Sequence, residues 1–154
     1  MDKKPVDAIE MLEADHQKVR DLFSKYMATS DQKAKRKIAD QVFVELETHA
    51  QLEETVFYPA FAEETDTEGK QLVTESLEEH QGVKELIDEL REIDTNDTEF
   101  DSKFHALMAD VQHHVEEEES EMFPKAEEAL EAHLEDLMDE MQELKQQLTA
   151  AGKR

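Results

Sequence analysis

The sequence predicts an all-α protein: an up-down four-helix bundle of two duplicated helical hairpins, followed by a C-terminal fifth helix. Its 154 residues include only 3 Gly and 3 Pro, and 38% of them are charged, which is typical of long helices. Apolar residues recur at spacings of three and four, as on one face of an amphipathic helix. The length suits one domain over residues 1–154, with the bundle at about 6–127 and the fifth helix at about 129–150.

The first two helices are predicted from local start signals. Pro5 is expected in the first turn of helix one, which runs to about Met27. Thr29, with Gln32 three residues later, matches a capping box and is expected to start helix two. That helix is predicted to run to about Phe61.

Two polar segments separate the later helices. The breaks are "EETDTEGK" at 63–70 and "DTNDTEF" at 94–100, so helix three lies between them and helix four runs past Met122. The fifth helix carries Leu134 and an apolar stripe that either packs within the chain or forms a homodimer; the stripe consists of Leu137, Met141, Leu144 and Leu148.

An internal repeat indicates how the helices pair. "DHQKVRDLF" at 15–23 resembles "EHQGVKELI" at 79–87, and "HAQLEETVFYP" at 49–59 resembles "HHVEEEESEMFP" at 113–124. The distance between the two blocks is nearly the same in each half. Helices one and two therefore correspond to helices three and four, and the two hairpins are related by a pseudo-twofold axis.

The repeated blocks carry a pattern that suits metal binding. A His and a Glu four residues later lie about 40° apart on a helix, so both side chains can face one point. Each half contains one such pair and a further His at the start of its first block. Two imidazoles for each of two metals, with both carboxylates bridging, would complete the site. The six candidate ligands are His16, His49, Glu53, His80, His114 and Glu118.

Helix geometry favours this site more clearly in the second hairpin. A turn near Asn96 places His80 and His114 at about the same level. A turn near Thr29 leaves His16 and His49 roughly two turns apart, which tilt or an asymmetric loop would have to absorb.

A metal-free core is the alternative. Burying an unpaired carboxylate costs several kcal/mol, so Glu53 and Glu118 need cations. Arg20 and Lys84, each four residues after a His, could supply them as salt bridges. The protein would then be a helical interaction or dimerisation protein with a salt-bridged polar core.

The residues around the ligands are also candidates for outer contacts. Glu45 and Asp110 lie one turn before the two paired His residues and could be hydrogen-bond acceptors for them, carboxylates on the access route, or extra ligands. Arg20 and Lys84 are the basic candidates. Tyr26 and Tyr58 could lie near the site, but the sequence does not place them.

Charge and composition exclude several functions. A net charge of −24 argues against nucleic acid and anionic membrane surfaces, and favours cations or neutral molecules as partners. The chain has no Cys, so any metal must bind N and O ligands; imidazole and carboxylate suit iron, with manganese and zinc as the nearest competitors. Without an apolar run of signal-peptide or membrane-helix length, a soluble cytoplasmic protein is expected.

The spacing of the six candidate ligands resembles the metal-ligand pattern of hemerythrin-like, or HHE cation-binding, domains over about residues 6–127. This resemblance implies a four-helix bundle that holds two non-haem iron ions, commonly oxo- or hydroxo-bridged. It implies a function in binding, sensing or processing a small ligand such as O2, NO or peroxide, or in iron handling.

The sequence departs from the pattern of the oxygen carriers in that family. Carriers have a second His one turn after the third-helix His, where this chain has Lys84, and an Asp five residues after the last His, where it has Glu119. Four His and two Glu more closely resemble the relatives linked to nitric oxide, to oxidative damage of iron–sulfur clusters and to iron sensing.

Overall fold

The chain folds into helices that are nearly continuous. The computed structural model describes residues 4–152. Its α-helices are α1 (Ala8–Ala28), α2 (Gln32–Leu52), α3 (Tyr58–Glu64), α4 (Thr67–Glu92), α5 (Thr98–Glu117), α6 (Phe123–Ala129) and α7 (Leu134–Gly152). Two π-helical turns, Glu53–Phe57 and Glu118–Met122, join α2 to α3 and α5 to α6. The predicted all-α bundle with a C-terminal fifth helix is confirmed.

The helices pair as the repeat predicts. Helix α1 packs against α2, and α4 packs against α5, so each half forms a hairpin. Helix α7 lies against α1 and α2. Across the described residues 4–152, no helix has an apolar stretch long enough to cross a bilayer.

An aspartate caps the start of each long helix of the bundle. The side-chain oxygen of each Asp accepts a hydrogen bond from a backbone N–H in the first turn, which satisfies one of the unpaired donors there. The capping residues are Asp7, Asp31, Asp66 and Asp97.

Two of the predicted helix starts are wrong. Pro5 precedes the cap at Asp7 and therefore lies outside α1. Thr29 ends α1 in an extended conformation, with φ −109° and ψ 146°, and its hydroxyl accepts a hydrogen bond from the N–H of Asp31. Asp31 then caps α2 by accepting from the N–H of Ala34 at 2.9 Å. The carboxylate of Asp31, rather than the hydroxyl of Thr29, therefore caps α2.

Two boundaries also differ from the sequence prediction. The break predicted over 63–70 narrows to Thr65 and Asp66, because Asp66 caps a helix that already begins at Thr67. The fifth helix begins at Leu134 rather than near residue 129, because α5, the second π turn and α6 form one continuous helical segment that ends at Ala129.

Two apolar clusters fill the bundle on either side of a polar layer. The cluster near the hairpin turns is rich in aromatic residues, including Phe23, Phe43 and Phe104. The other cluster lies among α3, α6, α7 and the start of α1, and includes Phe57 and Phe61. The polar layer between them is the candidate site.

The apolar stripe of α7 packs within the chain. Leu134 and Leu137 are buried, and Met141 is 0% exposed. All three belong to the cluster that contains Phe57 and Phe61. The stripe therefore stabilises the bundle of its own chain.

Phe104 belongs to the apolar cluster near the hairpin turns, so its replacement should test the fold without changing a residue of the polar layer. Its ring is fully buried, and the ring centroid lies 4.0 Å from that of Tyr26 and 6.0 Å from that of Phe23. Phe104→Ala should lower the free energy of unfolding by about 3–5 kcal/mol, measured by denaturant titration. Val44→Ala is the matched control, because Val44 is 57% exposed and its loss should cost at most about 0.5 kcal/mol. Equal effects of the two changes would contradict this description of the core.

Candidate metal centre

Six side chains meet in the polar layer between the apolar clusters. The two carboxylates are enclosed most completely, with Glu53 at 0% and Glu118 at 2% exposure. The four His side chains are each at most 10% exposed. The structure thus brings together all six residues that the sequence indicates, which are His16, His49, Glu53, His80, His114 and Glu118.

The two His residues of each hairpin meet although their backbones lie at different levels. His16 lies near the middle of α1, whereas His49 lies in the last turn of α2, farther from the turn that joins the two helices. Side chains lean toward the N-terminus of their own helix, so His16 reaches away from the hairpin turn and His49 reaches back toward it. Their ring centroids are 4.9 Å apart.

The second hairpin repeats this arrangement. His80 lies near the middle of α4, and His114 lies in the last turn of α5, with ring centroids again 4.9 Å apart. The offset that the sequence suggested for the first hairpin alone is therefore common to both, and the lean of the side chains accounts for it.

Glu53 faces one His from each half. Its Oε1 lies 3.3 Å from Nε2 of His49 and 3.1 Å from Nε2 of His80. This carboxylate therefore lies between the two pairs of imidazoles.

Glu118 takes the equivalent position from the opposite side. Its Oε1 lies 3.1 Å from Nε2 of His16, and its Oε2 lies 3.4 Å from Nε2 of His114. Each of the two carboxylates therefore contacts one imidazole from each half.

Several buried atoms in this layer have no hydrogen-bond partner among the described residues. They are Nε2 of His16 and His49, both carboxylate oxygens of Glu53, and Oε1 of Glu118. Carboxylate oxygens are acceptors, and leaving buried polar atoms unpaired is costly. Convergent unpaired oxygens and nitrogens of this kind fit cations with N and O ligands.

Each imidazole is held at its other nitrogen by a carboxylate from a neighbouring helical rod. The Nδ1 atoms point sideways across the bundle, so their partners come from other rods. The pairs are His16 with Glu119 (2.7 Å), His49 with Asp15 (3.0 Å), His80 with Glu54 (2.8 Å) and His114 with Glu79 (2.6 Å). With Nδ1–H donating outward, the Nε2 lone pair of each His is directed inward to a metal position.

These orienting carboxylates differ from the outer residues that the sequence suggested. Glu45 forms an ion pair with Lys18 at 2.7 Å, and Asp110 and Lys84 are exposed. Arg20 does reach the site, because its guanidinium lies 3.0 Å from Oε1 of the carboxylate that holds His16. The carboxylates that hold Nδ1 come from neighbouring segments rather than from positions one turn along the same helix.

Tyr58 is a member of the site that sequence reasoning left unplaced. Its hydroxyl donates to Oε2 of Glu118 at 2.5 Å, and lies 3.3 Å from Nε2 of His80 and 3.5 Å from Nε2 of His114. The π turn puts it there, because the N–H of Tyr58 bonds to the carbonyl of Glu53, five residues back. Pro59, which cannot supply an N–H to a regular helix, is the sequence signal for that irregular turn.

Phe123 takes the same position in the second half. Its N–H bonds to the carbonyl of Glu118, and its ring stacks on His16 at 5.8 Å between centroids with planes 2° apart. The phenol of Tyr58 therefore faces His80 and His114, whereas the phenyl ring of Phe123 faces His16. The two halves of the site are chemically different.

The charges of the layer depend strongly on one another. Burial alone would lower the pKa of His114, but its hydrogen bonds to Glu118 and Glu79 raise that pKa to about 10. Burial likewise opposes charge on Glu53, yet the neighbouring His49 holds the pKa of Glu53 well below its usual range. Without metal, protons on the imidazoles therefore balance the buried carboxylates.

A small cavity adjoins the four imidazoles on their turn-facing side. Its volume is about 50 Å³, and its remaining lining is mostly aliphatic. A space of this size holds only a few water-sized molecules. Besides the four His residues, its lining includes Val19, Leu46, Val83, Val111 and Val115.

Two known proteins resemble this chain in sequence. An uncharacterised hemerythrin-like protein from Schizosaccharomyces pombe is 31% identical over 120 residues, covering 78% of this chain and 57% of that protein. A Nostoc protein named DNA nickase is 30% identical over 125 residues, covering 79% of this chain and 34% of that protein. The chain thus spans about half or less of the length of these relatives.

A solved structure shows the same fold. It is the crystal structure of a hemerythrin HHE cation-binding domain-containing protein from Mycobacterium kansasii, with a TM-score of 0.81 and 22% identity, covering 96% of this chain and 90% of that one. The sequence pattern described as the hemerythrin HHE cation-binding domain matches residues 7–126. The chain belongs to the hemerythrin HHE cation-binding domain family.

Proposed function

We propose that this protein holds two non-haem iron ions in its polar layer and uses them to bind and process a small ligand such as O2, NO or peroxide. The observation that carries the proposal is the set of unpaired oxygens and nitrogens from His16, His49, Glu53 and Glu118, all buried and convergent. Membership of a cation-binding family supports the same reading.

The ligands divide into two sets that share the carboxylates. His16 and His49 would bind the first ion, and His80 and His114 the second. Glu53 contributes an oxygen within 4.8 Å of the ligand atoms in each set, so it is suited to bridging the ions. Imidazole and carboxylate together favour iron, with manganese and zinc as the competing metals.

Bound in this layer, the iron ions would supply electrons and open coordination positions for a small ligand. The protein's own groups orient and enclose them. The four outer carboxylates hold each imidazole in the tautomer that directs Nε2 inward. Tyr58, whose hydroxyl donates to Glu118, is available as a further oxygen donor on the His80 and His114 side.

The cavity limits what can reach the site. Its volume of about 50 Å³ suits a molecule of two or three heavy atoms and excludes larger metabolites. Its aliphatic lining favours uncharged diatomic ligands over ions. O2 and NO match these properties most closely.

Neither a salt-bridged core nor DNA binding is favoured by a specific observation. Arg20 contacts Glu119 rather than the enclosed carboxylates, and Lys84 is exposed, so these cations do not neutralise Glu53 and Glu118. The Nostoc relative is named a DNA nickase, but we do not propose DNA as a partner of this chain, because a net charge of −24 repels a phosphate backbone.

The metal content of the protein should depend on the six residues in an unequal way. Protein reconstituted with Fe²⁺ under anaerobic conditions should hold two ions per chain by elemental analysis. Glu53→Ala should disturb both ions because the carboxylate is shared, whereas His16→Ala should first weaken the ion bound by His49. Equal loss of a single ion in the two variants would exclude a bridging role for Glu53.

The unfolding free energy of the metal-free protein should fall as pH rises from about 6.5 to about 10. His114 has a folded-state pKa of about 10, above the value of about 6.5 in an unfolded chain, so its contribution is complete below pH 6.5 and is lost through pH 10. The expected loss is a few kcal/mol, on the order of 1.4 per pKa unit. Iron-loaded protein should lack this decline because the metal replaces the proton, although acid should displace the metal.

Denaturant titrations of both forms across this pH range provide the measurement. His105→Ala is the control, because His105 lies on the surface of α5 and its removal should leave the slope unchanged. A flat pH dependence of the metal-free protein would contradict the described charge balance.

Blocking the cavity should impair ligand binding without removing metal. Val83 lines both the cavity and a cleft that opens to the surface between α2 and α4. Val83→Phe should slow association of NO with the iron-loaded protein by about tenfold or more, a change of about 1.4 kcal/mol in the barrier.

The association is followed by stopped-flow absorbance. Val44→Phe, on the exposed surface of α2, should behave as the wild type. Unchanged NO association in Val83→Phe, with its full metal content, would show that ligands do not use this cavity.

A further inference from the structure

The carboxylates that orient the first pair of imidazoles are each backed by a basic side chain. Arg20 lies 3.0 Å from Oε1 of Glu119, which holds His16. Lys145 of α7 lies 3.4 Å from Oδ1 of Asp15, which holds His49. A positive charge therefore stands behind each of these two carboxylates.

Glu79 is the pseudo-twofold equivalent of Asp15. Each of the two residues directly precedes a candidate ligand, His80 or His16, and each holds the His of the paired helix through Nδ1. Helix α7 packs against α1 and α2, and its Lys145 contacts Asp15 rather than Glu79.

Glu79 instead belongs to a second set of potential metal ligands, together with His113 and Glu117. His113 Nε2 lies 3.1 Å from Oε1 of Glu117, one turn along α5, and 3.8 Å from Oε2 of Glu79 on α4. One ligand atom from each of the three residues lies within 4.8 Å of the others. The other oxygen of Glu79 lies 2.6 Å from His114 Nδ1.

We propose that Glu79, His113 and Glu117 form a peripheral divalent-cation site, separate from the metal pair in the core. One imidazole nitrogen and two carboxylate oxygens from two helices suit a first-row ion such as Zn²⁺, Mn²⁺ or Fe²⁺. The side chains are between 27% and 66% exposed, so water would complete the coordination.

The local charges support a cation at this position. The carboxylates of Glu79 and Glu117 both face Nε2 of His113, so two acidic groups share this position. Two like charges held together are destabilising, and a divalent ion between them removes the repulsion. The net charge of −24 also concentrates cations near the surface.

The ion would serve the second half of the site as Lys145 serves the first. It would neutralise the outer oxygen of Glu79 while the inner oxygen holds His114. A protonated His113 is the competing explanation for the same geometry, since an imidazolium would also supply positive charge. The two explanations differ in whether a metal ion binds.

Calorimetric titration of the iron-loaded protein with Zn²⁺ at pH 7.5 tests the site. The wild type should bind one more Zn²⁺ per chain than His113→Ala, and Glu117→Gln should weaken that binding by about tenfold or more. His105→Ala is the matched control, because His105 is also an exposed His of α5 paired to a carboxylate four residues away, Asp101, at 3.4 Å. It should bind as the wild type does.

The comparison is a difference between variants, so it does not depend on how much metal the core holds. A failure of the proposed di-iron function would therefore remain distinguishable from a failure of this site. Anomalous scattering at the zinc edge should place the ion between Glu79 and His113. Equal Zn²⁺ binding by the wild type and His113→Ala would overturn the proposal, and an absence of additional binding by the wild type would favour the imidazolium.

Discussion

Two carboxylates and four imidazoles enclosed between two apolar clusters are the constraint on which this structure depends. Glu53 and Glu118 are buried almost completely, yet no Lys or Arg among residues 4–152 forms an ion pair with either carboxylate. Positive charge must therefore come from metal ions or from protons on the imidazoles. The outer carboxylates add more negative charge around the layer, which strengthens its affinity for cations. Stability of the bundle and occupation of its centre are thus linked.

The repeat in the sequence gives two similar halves, but the structure makes them chemically unequal. Tyr58 and Phe123 occupy matching positions, and only Tyr58 brings a hydroxyl to the site. Arg20 and Lys145 support the imidazoles of the first half, whereas His113 lies behind those of the second. The two halves of the polar layer therefore differ in their donor atoms and in their electrostatic surroundings.

The sequence predicted the helices and the six inward-facing residues because both depend on spacing along one helix. Helical periodicity places Glu53 beneath His49, and duplication identifies the equivalent His114. The orienting carboxylates were harder to predict, since Glu54 and Glu119 reach imidazoles on distant segments. Their identity depends on the rotation and packing of neighbouring rods, which one-dimensional spacing does not contain.

The π turn at Glu53–Phe57 explains why the sequence did not place Tyr58 at the site. In a regular α-helix, Phe57 would lie one turn above Glu53. The π turn puts Tyr58 there instead, and only Pro59 marks this in the sequence. The start of α2 was similarly misplaced, because Thr29 and Asp31 are both good capping residues and the local sequence alone does not select between them.

Each π turn also sets the rotation of the helix that follows it relative to the helix that precedes it. An additional residue in a turn rotates everything beyond it by about 100° relative to a regular helix. The segment before Glu53 is oriented by its neighbours in the hairpin, and the segment from Tyr58 onward is oriented by packing near α7. Deleting one residue from the first π turn would rotate α3 by about 100° and turn the apolar face that carries Phe61 away from its cluster, so the extra residue and the packing of α3 depend on each other.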